Sequence, residues 1–346
     1  MEHLIVWGKF VGLSGAIVIS GIALTRYADV ISQKLGLGHV FIGVIFLGLV
    51  TSLPELVITM SALVGLDQPD MGIGNILGSC VFNLFMICLV DLLFFRGKVF
   101  ARASTHLVFC GALSGIMILI AVLGLRFTDL YGATHPEWFD PLGLKVDVTS
   151  IVIIAFYAFA TYALHRAEKS GRAPATEATP EKKYADTSLG AVAAKSLLAA
   201  ATIVLAGVCL TKTGERMADL YGLGHSFIGT AFLAAVSSMP ELVCTVAAAR
   251  YGFVNMAFAN VFGSNIFNVG IIALTDVCYR SGSLFLGKVG HPSHSHGLVG
   301  LMGVLITMVF VAALGYRYQS RRRLSPVTLV SMALYAAALA LAFWVR

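Results

Sequence analysis

The chain has 346 residues, 58% of them hydrophobic and only 12% charged, with a mean hydropathy of +0.86. A water-soluble domain carries about a quarter charged residues, so the composition excludes a soluble enzyme or binding module and describes a polytopic membrane protein. The net charge of +6 does not indicate a nucleic-acid partner, because the basic residues fall between apolar segments, as membrane topology requires.

In chain order, ten segments reach the roughly 20 apolar residues that a span needs. They are residues 4–25, 39–65, 71–95, 105–125, 149–165, 188–211, 225–249, 253–279, 297–316 and 325–345. The first is long enough to span and lacks a small-residue cleavage site, so it reads as a helix and not as a cleavable signal. Two polar breaks are large, at 126–148 and 166–187. The second, RAEKSGRAPATEATPEKKYADT, has the composition of a solvated linker and is too short to hold a domain. The six cysteines (Cys80, Cys88, Cys110, Cys209, Cys244, Cys278) lie in or beside apolar segments without a CxxC pair, which argues against a disulfide framework or a zinc site. Lys and Arg concentrate after the odd-numbered segments, including Arg26, Arg96, Lys98, Arg102, Arg166, Lys182, Arg250 and Arg321 to Arg323. The positive-inside rule then places both termini and the 126–148 loop outside and the 166–187 linker in the cytoplasm.

Two of these segments repeat each other. Residues 38–62, GHVFIGVIFLGLVTSLPELVITMSA, match residues 224–248, GHSFIGTAFLAAVSSMPELVCTVAA, at a constant offset of 186. Glu55 corresponds to Glu241 and Pro54 to Pro240. A carboxylate at the bilayer centre costs on the order of 3 kcal/mol, so two at matched positions point to a cation between them. The segments that follow repeat as well, MGIGNILGSCVFN (71–83) with MAFANVFGSNIFN (256–268), at an offset of 185. Five segments per half is an odd number, so the second half enters the membrane with opposite polarity. The fold expected is therefore an all-α membrane protein of ten transmembrane helices, two inverted five-helix repeats with helices 2 and 7 broken. Residues 1–165 form the first repeat (motif 38–94), 166–187 the linker and 188–346 the second repeat (motif 224–279). Secondary transporters are built in this way, with sites at broken helices near the midplane.

The proline of each repeat lacks an N–H and clashes with the carbonyl four residues earlier, which frees the carbonyls of Val50 and Val236. Hydroxyls lie beside them: Thr51 and Ser52 in the first half, Ser237 and Ser238 in the second. Carboxylate, hydroxyl and carbonyl oxygens form a ligand set for a hard cation such as calcium or sodium. Asn75, Ser79 and Asn83 recur at intervals of four and so share one helical stripe, and Asn260, Ser264 and Asn268 form its partner. Ser79, Asn83, Ser264 and Asn268 are expected to face the ion. For Asn75 and Asn260, gluing helices together is an equal alternative. Asp91 and Asp276, at the far ends of the third and eighth segments, read as ordinary helix-end acids, and the HPSHSH run at 291–296 as a solvated outer loop.

TSLPEL (51–56), SSMPEL (237–242), GNILGSCVFN (74–83) and ANVFGSNIFN (259–268) resemble the two alpha-repeats of the cation/calcium exchanger superfamily, specifically its prokaryotic sodium/calcium exchanger-like members. The other helices match it in hydropathy alone. The resemblance implies a calcium/sodium antiporter working by alternating access in the inner (plasma) membrane, with calcium/proton or another cation/proton exchange as the alternative. Its principal carboxylates would be Glu55 and Glu241, its hydroxyl ligands Thr51, Ser52, Ser237, Ser238, Ser79 and Ser264, and its further site positions Asn83 and Asn268. Its carbonyl donors would be Gly48 and Ala234, where the proline argument singles out Val50 and Val236. Those two valines also stand where the family usually has glycine. Cys80 replaces the usual asparagine, beside the stripe and with little effect expected on the ions. Asn268 stands where some members, the potassium-dependent branch among them, carry aspartate, which argues against potassium coupling. The transported ions (Ca2+ with Na+ or H+) and the bilayer are the expected partners, with no cofactor. A cation channel or a non-transporting sensor is a weaker reading. An intramembrane enzyme is weaker still, because neither HExxH nor GxSxG is present.

Overall fold

A computed structural model describes residues 2–35, 51–131, 146–169, 188–279, 284–285 and 294–345. Among these the chain is helical throughout, with no strand. Eight helices are long and apolar enough to cross a membrane, or nine when one bent pair is counted as a span. The elements are α1 (Glu2–Leu35), α2 (Leu53–Gly65), α3 (Pro69–Val90, continued by a wider turn over Asp91–Phe95), α4 (Leu107–Tyr131) and α5 (Val148–Lys169). They continue with α6 (Leu189–Tyr221), the bent α7 (His225–Ser237 and Met239–Arg250), α8 (Val254–Cys278), α9 (His294–Gly315) and α10 (Pro326–Trp344). The expected segment 39–65 is described only from Thr51 onward, so Gly48 and Val50 lie outside the described residues, as do 132–145 and 170–187. The fifth segment, the shortest by hydropathy, forms a helix of 22 residues that runs into the expected linker.

Proline explains the bend of α7. Pro240 sits in the first turn of the piece Met239–Arg250, which Ser238 caps, and the two pieces meet at 49°. A proline is tolerated in a first turn because its missing N–H would have no partner there. Pro54 and Ser52 take the same places at the start of α2.

Burial groups the described hydrophobic residues into one large cluster and two smaller ones that both join α1 and α6. One large hydrophobic cluster joins α3, α4, α5, α8, α9 and α10 through residues such as Leu77, Ile118, Ile153, Phe262, Phe310 and Ala338. A separate one joins α1 to α6 and to the bent helices through Ile17, Ile58, Leu210, Met217 and Leu233.

Asp91 and Asp276 are 0% and 1% exposed, which places them inside the protein and not among ordinary interfacial acids. A carboxylate at a helix C-terminus opposes the helix dipole and needs donors. Asp91 Oδ1 accepts from the N–H groups of Gly97 and Val99 at 3.1 Å each. Its Oδ2 accepts from Thr328 at 2.5 Å and Ser325 at 3.4 Å, at the start of α10. The turn between passes through left-handed Arg96 (φ 52°) and Gly97 (φ 85°), the latter against the carbonyl of Arg322. Asp276 Oδ1 accepts from Leu284 N–H at 2.5 Å, and its Oδ2 from Asp147 N–H at 3.1 Å and Ser150 at 2.7 Å, at the start of α5. Each aspartate thus clamps the last helix of the other half.

A candidate cation site at the two helix breaks

The serines at the starts of α2 and of the second piece of α7 reach across to each other's helix. Ser238 Oγ donates to Glu55 Oε1 at 2.8 Å, and Ser52 Oγ donates to Glu241 Oε1 at 3.1 Å. Each serine is three residues ahead of its own glutamate, within one turn, so this exchange of donors brings the two carboxylates to one place. Thr51, Ser52, Glu55, Ser237, Ser238 and Glu241 are all 0% exposed. Among the described residues neither carboxylate pairs with a Lys or Arg.

Of the expected stripes, Ser79 reaches the serines of α7. Ser79 Oγ lies 3.3 Å from Ser237 Oγ and 3.5 Å from the Ala234 carbonyl, which also accepts from Ser237 at 3.2 Å. The Ala234 carbonyl thus lies among the hydroxyls of Ser79 and Ser237. The Val236 side chain packs with the α1–α6 cluster, and its carbonyl accepts from the Ser238 N–H. Asn83 Nδ2 donates to Asn265 Oδ1 at 3.0 Å. Ser264 and Asn268 are buried at 1% and 0% exposure, and neither side chain has a partner.

Asn75 and Asn260 take the gluing role. Asn75 Nδ2 donates to Thr59 at 3.0 Å and to the Glu55 carbonyl at 3.4 Å; Asn260 Nδ2 donates to Thr245 at 2.9 Å and to the Glu241 carbonyl at 3.2 Å. Each pins its helix to the turn carrying the neighbouring glutamate. Asn75 Oδ1 also accepts from Ser237 at 3.3 Å, so it braces the site from both halves.

Sequence reasoning did not single out Thr59, Thr245 or Asn265. The two threonines obey the offset of 186 and lie inside the repeated stretch, so the repeat itself was the available signal. Asn265 is the repeat partner of Cys80, and the two touch: Asn265 Nδ2 donates to the Cys80 carbonyl at 3.1 Å, and the Cys80 thiol lies 3.9 Å from the Asn265 carbonyl. Cys80 thus sits where α3 and α8 cross, holding the amide that in turn holds Asn83.

What the arrangement lacks defines its chemistry. Glu55 Oε2, Glu241 Oε2, Asn83 Oδ1, Ser264 Oγ and both polar atoms of Asn268 are buried without a hydrogen-bond partner among the described residues. Each such atom costs about 1–3 kcal/mol, and native interiors hold only a few. The two bare carboxylate oxygens, with the serine hydroxyls beside them, are hard-cation ligands. No group of three His, Cys, Asp or Glu that could hold a metal ion occurs among the described residues.

Comparison with known proteins follows this geometry. The family described as sodium/calcium exchanger protein matches residues 5–165 and 192–344. The chain is similar to the sodium/calcium exchanger MaX1 of Methanosarcina acetivorans, 41% identical over 76 residues, a stretch spanning only 22% of either chain. It is similar over a longer span to the inner membrane protein YrbG of Escherichia coli, 22% identical over 274 residues, 75% of this chain and 78% of that one. Among solved structures, the H+/Ca2+ exchanger CAX superposes with a TM-score of 0.68 at 15% identity, covering 97% of this chain and 85% of the other. The sodium-calcium exchanger NCX_Mj superposes with a TM-score of 0.55 at 19% identity, covering 97% and 98%. At these identities the superpositions speak to the fold alone.

Proposed function

We infer, since the chain belongs to the sodium/calcium exchanger protein family, that this integral membrane protein is a secondary antiporter exchanging calcium for sodium by alternating access. Glu55 and Glu241 hold one Ca2+ or the competing ions. Thr51, Ser52, Ser237, Ser238, Ser79, Ser264, Asn83 and Asn268 supply further oxygens, with carbonyls at Gly48 and Ala234. Ten spans in two inverted halves, 1–165 and 188–346, present the site in turn to the outside and to the cytoplasm. Both termini lie outside, in a bacterial inner membrane, and the 166–187 linker is cytoplasmic.

One observation carries this reading: two buried carboxylates from opposite halves share donors and keep one bare oxygen each. An empty ionised pair resists movement through hydrocarbon, whereas a pair neutralised by cations passes, which makes exchange obligatory. The test is calcium uptake into proteoliposomes under imposed sodium and pH gradients side by side. Uptake driven by sodium, and lost in Glu55→Ala and Glu241→Ala, is the expected result. Uptake driven by the pH gradient alone replaces sodium with protons as the counter-ion. Uptake that survives either alanine substitution, or needs no counter-ion gradient, overturns the assignment.

A further inference from the structure

The face where α3 and α9 end, and α4 and α10 begin, carries an unbalanced charge that the cation site does not use. The α3–α4 loop holds Arg96, Lys98 and Arg102, and the α9–α10 loop holds Arg317 and Arg321 to Arg323, all of them exposed. No Asp or Glu occurs in residues 92–106 or 316–330. Asp91, next to both loops, is 0% exposed and bonded to backbone N–H groups and hydroxyls. Among the described residues none of these cations pairs with a carboxylate.

The fold presses the two loops together in spite of their like charge. Ser320 N–H donates to the Gly97 carbonyl at 2.8 Å, and a Cβ on Gly97 would lie 2.5 Å from the Arg322 carbonyl. Three of the side chains are held by contacts that leave their charge in place. Arg317 Nη2 donates to the Ala101 carbonyl at 3.1 Å and Arg323 Nε to the Leu92 carbonyl at 3.4 Å, while the Arg102 guanidinium stands 5.3 Å from the centre of the Phe95 ring. The side chains of Arg96, Lys98, Arg321 and Arg322 make no hydrogen bond among the described residues. Like charges gathered on two touching loops repel one another, and an anionic partner relieves that repulsion.

The turn around Asp276 offers the comparison, because it is built from the same parts on the opposite face. At the offset of 185, Arg96, Lys98 and Arg102 answer to Ser281, Ser283 and Gly287. The residues as far ahead of Asp147 as Arg321 to Arg323 are ahead of Ser325 are Gly143, Leu144 and Lys145. The clamp is therefore made without the cations, and their presence at Asp91 has another reason. Orientation during insertion requires Lys and Arg on one side. It does not require that the finished fold bring them from two loops into one patch and fix their heads. On the opposite face charged groups meet partners. Arg216 bonds to Glu2, and His296, which the sequence placed in a solvated loop, is buried in the first turn of α9 at 2.9 Å from Asp70.

The neighbours of the cations set their depth. Leu93, Phe94, Tyr316 and Leu324 are exposed beside them. Apolar and aromatic side chains next to cations mark the level of a bilayer where acyl chains give way to headgroups. A guanidinium meets a phosphate there with two parallel hydrogen bonds, and clusters of four or more Lys and Arg just beyond a spanning helix attract anionic lipid.

We propose that the two loops form a binding site for the headgroups of anionic phospholipids, in the leaflet that the orientation given above makes cytoplasmic. The lipid phosphate lies between Lys98 and the arginines of the α9–α10 loop and neutralises a patch that the protein leaves unpaired. Both loops are bonded to Asp91, so a lipid bridging them fastens the end of α3 to the start of α10. The site is separate from the two glutamates, and a protein without exchange activity would still bind the lipid.

The test uses the purified full chain in uncharged detergent, with equal amounts of phosphatidylglycerol or phosphatidylcholine of the same acyl chains added and the unfolding temperature recorded. A ligand that binds the folded state alone raises that temperature. Phosphatidylglycerol is expected to raise it by about 4 °C or more over phosphatidylcholine. Lys98→Gln/Arg321→Gln/Arg322→Gln should lose about half of that rise or more. Arg26→Gln/Arg166→Gln/Lys195→Gln, which removes as many exposed charges from α1, α5 and α6, should keep most of it. Lys98→Gln and Arg321→Gln alone should each lose part of the rise, so the outcome does not depend on the triple variant folding. No rise in the native protein, or equal losses in the two triple variants, overturns the site. An equal rise on adding sodium phosphate at the concentration of the lipid overturns it too, by making the ligand a free anion.

Discussion

Each buried glutamate keeps one oxygen bonded to the serine of the opposite break and one oxygen bare. The serines hold the carboxylates in place and leave the bare oxygens for the ion. A hydrogen bond to a charged group is worth about 1.5–3 kcal/mol, so losing one loosens the carboxylate that binds calcium. Ser52→Ala and Ser238→Ala are each expected to raise the half-saturating calcium concentration about tenfold, by similar amounts. Radioactive calcium uptake at graded concentrations measures it, and a large loss in one with none in the other would show that a single half binds the ion. The glutamates were legible in sequence because a carboxylate within an apolar run has a cost that demands a reason. The crossing of the serines was not, because which serine faces which glutamate depends on how two remote segments meet. Asn265 was hidden for a related reason: its repeat partner is a cysteine, so no matched pair marked it.

At the scale of elements, the bend of α7 was legible from Pro240, since proline ends a hydrogen-bond ladder wherever it stands. The clamps were less so. Asp91 and Asp276 show in sequence as acids at helix ends, but their donors come from backbone N–H groups in turns and from hydroxyls on the last helix of the other half. Those hydroxyls are themselves related: Ser325 and Thr328 stand 178 residues after Asp147 and Ser150. Ser325 and Thr328 thus stand toward Asp91 as Asp147 and Ser150 stand toward Asp276. Asp276→Ala would leave the N–H groups of Leu284 and Asp147 and the Ser150 hydroxyl unpaired, at about 1 kcal/mol or more each. A loss of about 3 kcal/mol or more in stability is expected, read as a lower unfolding temperature in detergent. An unchanged unfolding temperature would show that water replaces the carboxylate. The proline carries a second expectation. Pro240→Ala restores an N–H able to bond the Val236 carbonyl and straighten α7, so exchange should fall about tenfold or more while the fold persists. Undiminished flux would mean that exchange does not depend on the proline bend.

At the scale of the molecule, the division of the hydrophobic core separates a frame from a pair of helices. The frame carries Ser79, Asn83, Ser264 and Asn268 on α3 and α8, and the aspartate clamps fix it at both ends. The α1–α6 pair has its own core. It is fastened at one end by Glu2 to Arg216 and by Trp7 Nε1 donating to Tyr221 Oη at 2.9 Å. It meets the bent helices through two glycines that obey the offset of 186: Gly21 rests on Pro240, and a Cβ on Gly207 would lie 2.7 Å from Val57 Cγ1. Again each half touches the break of the other. Sequence held this information only as two glycines among 35, because a small residue declares its purpose only when its neighbour is known. A methyl group at Gly207 must push the pair away from α2, since a branched Val57 packed at that distance has little room to turn. The pair lies beside the cation cradle and contributes none of its ligands, so the damage should fall on movement and spare binding. Gly207→Ala is expected to bind calcium within about twofold of native, by calorimetry on purified protein, while its exchange rate falls about fivefold or more. Loss of binding in proportion to flux would show that α6 shapes the cradle directly and that the two clusters act as a single body.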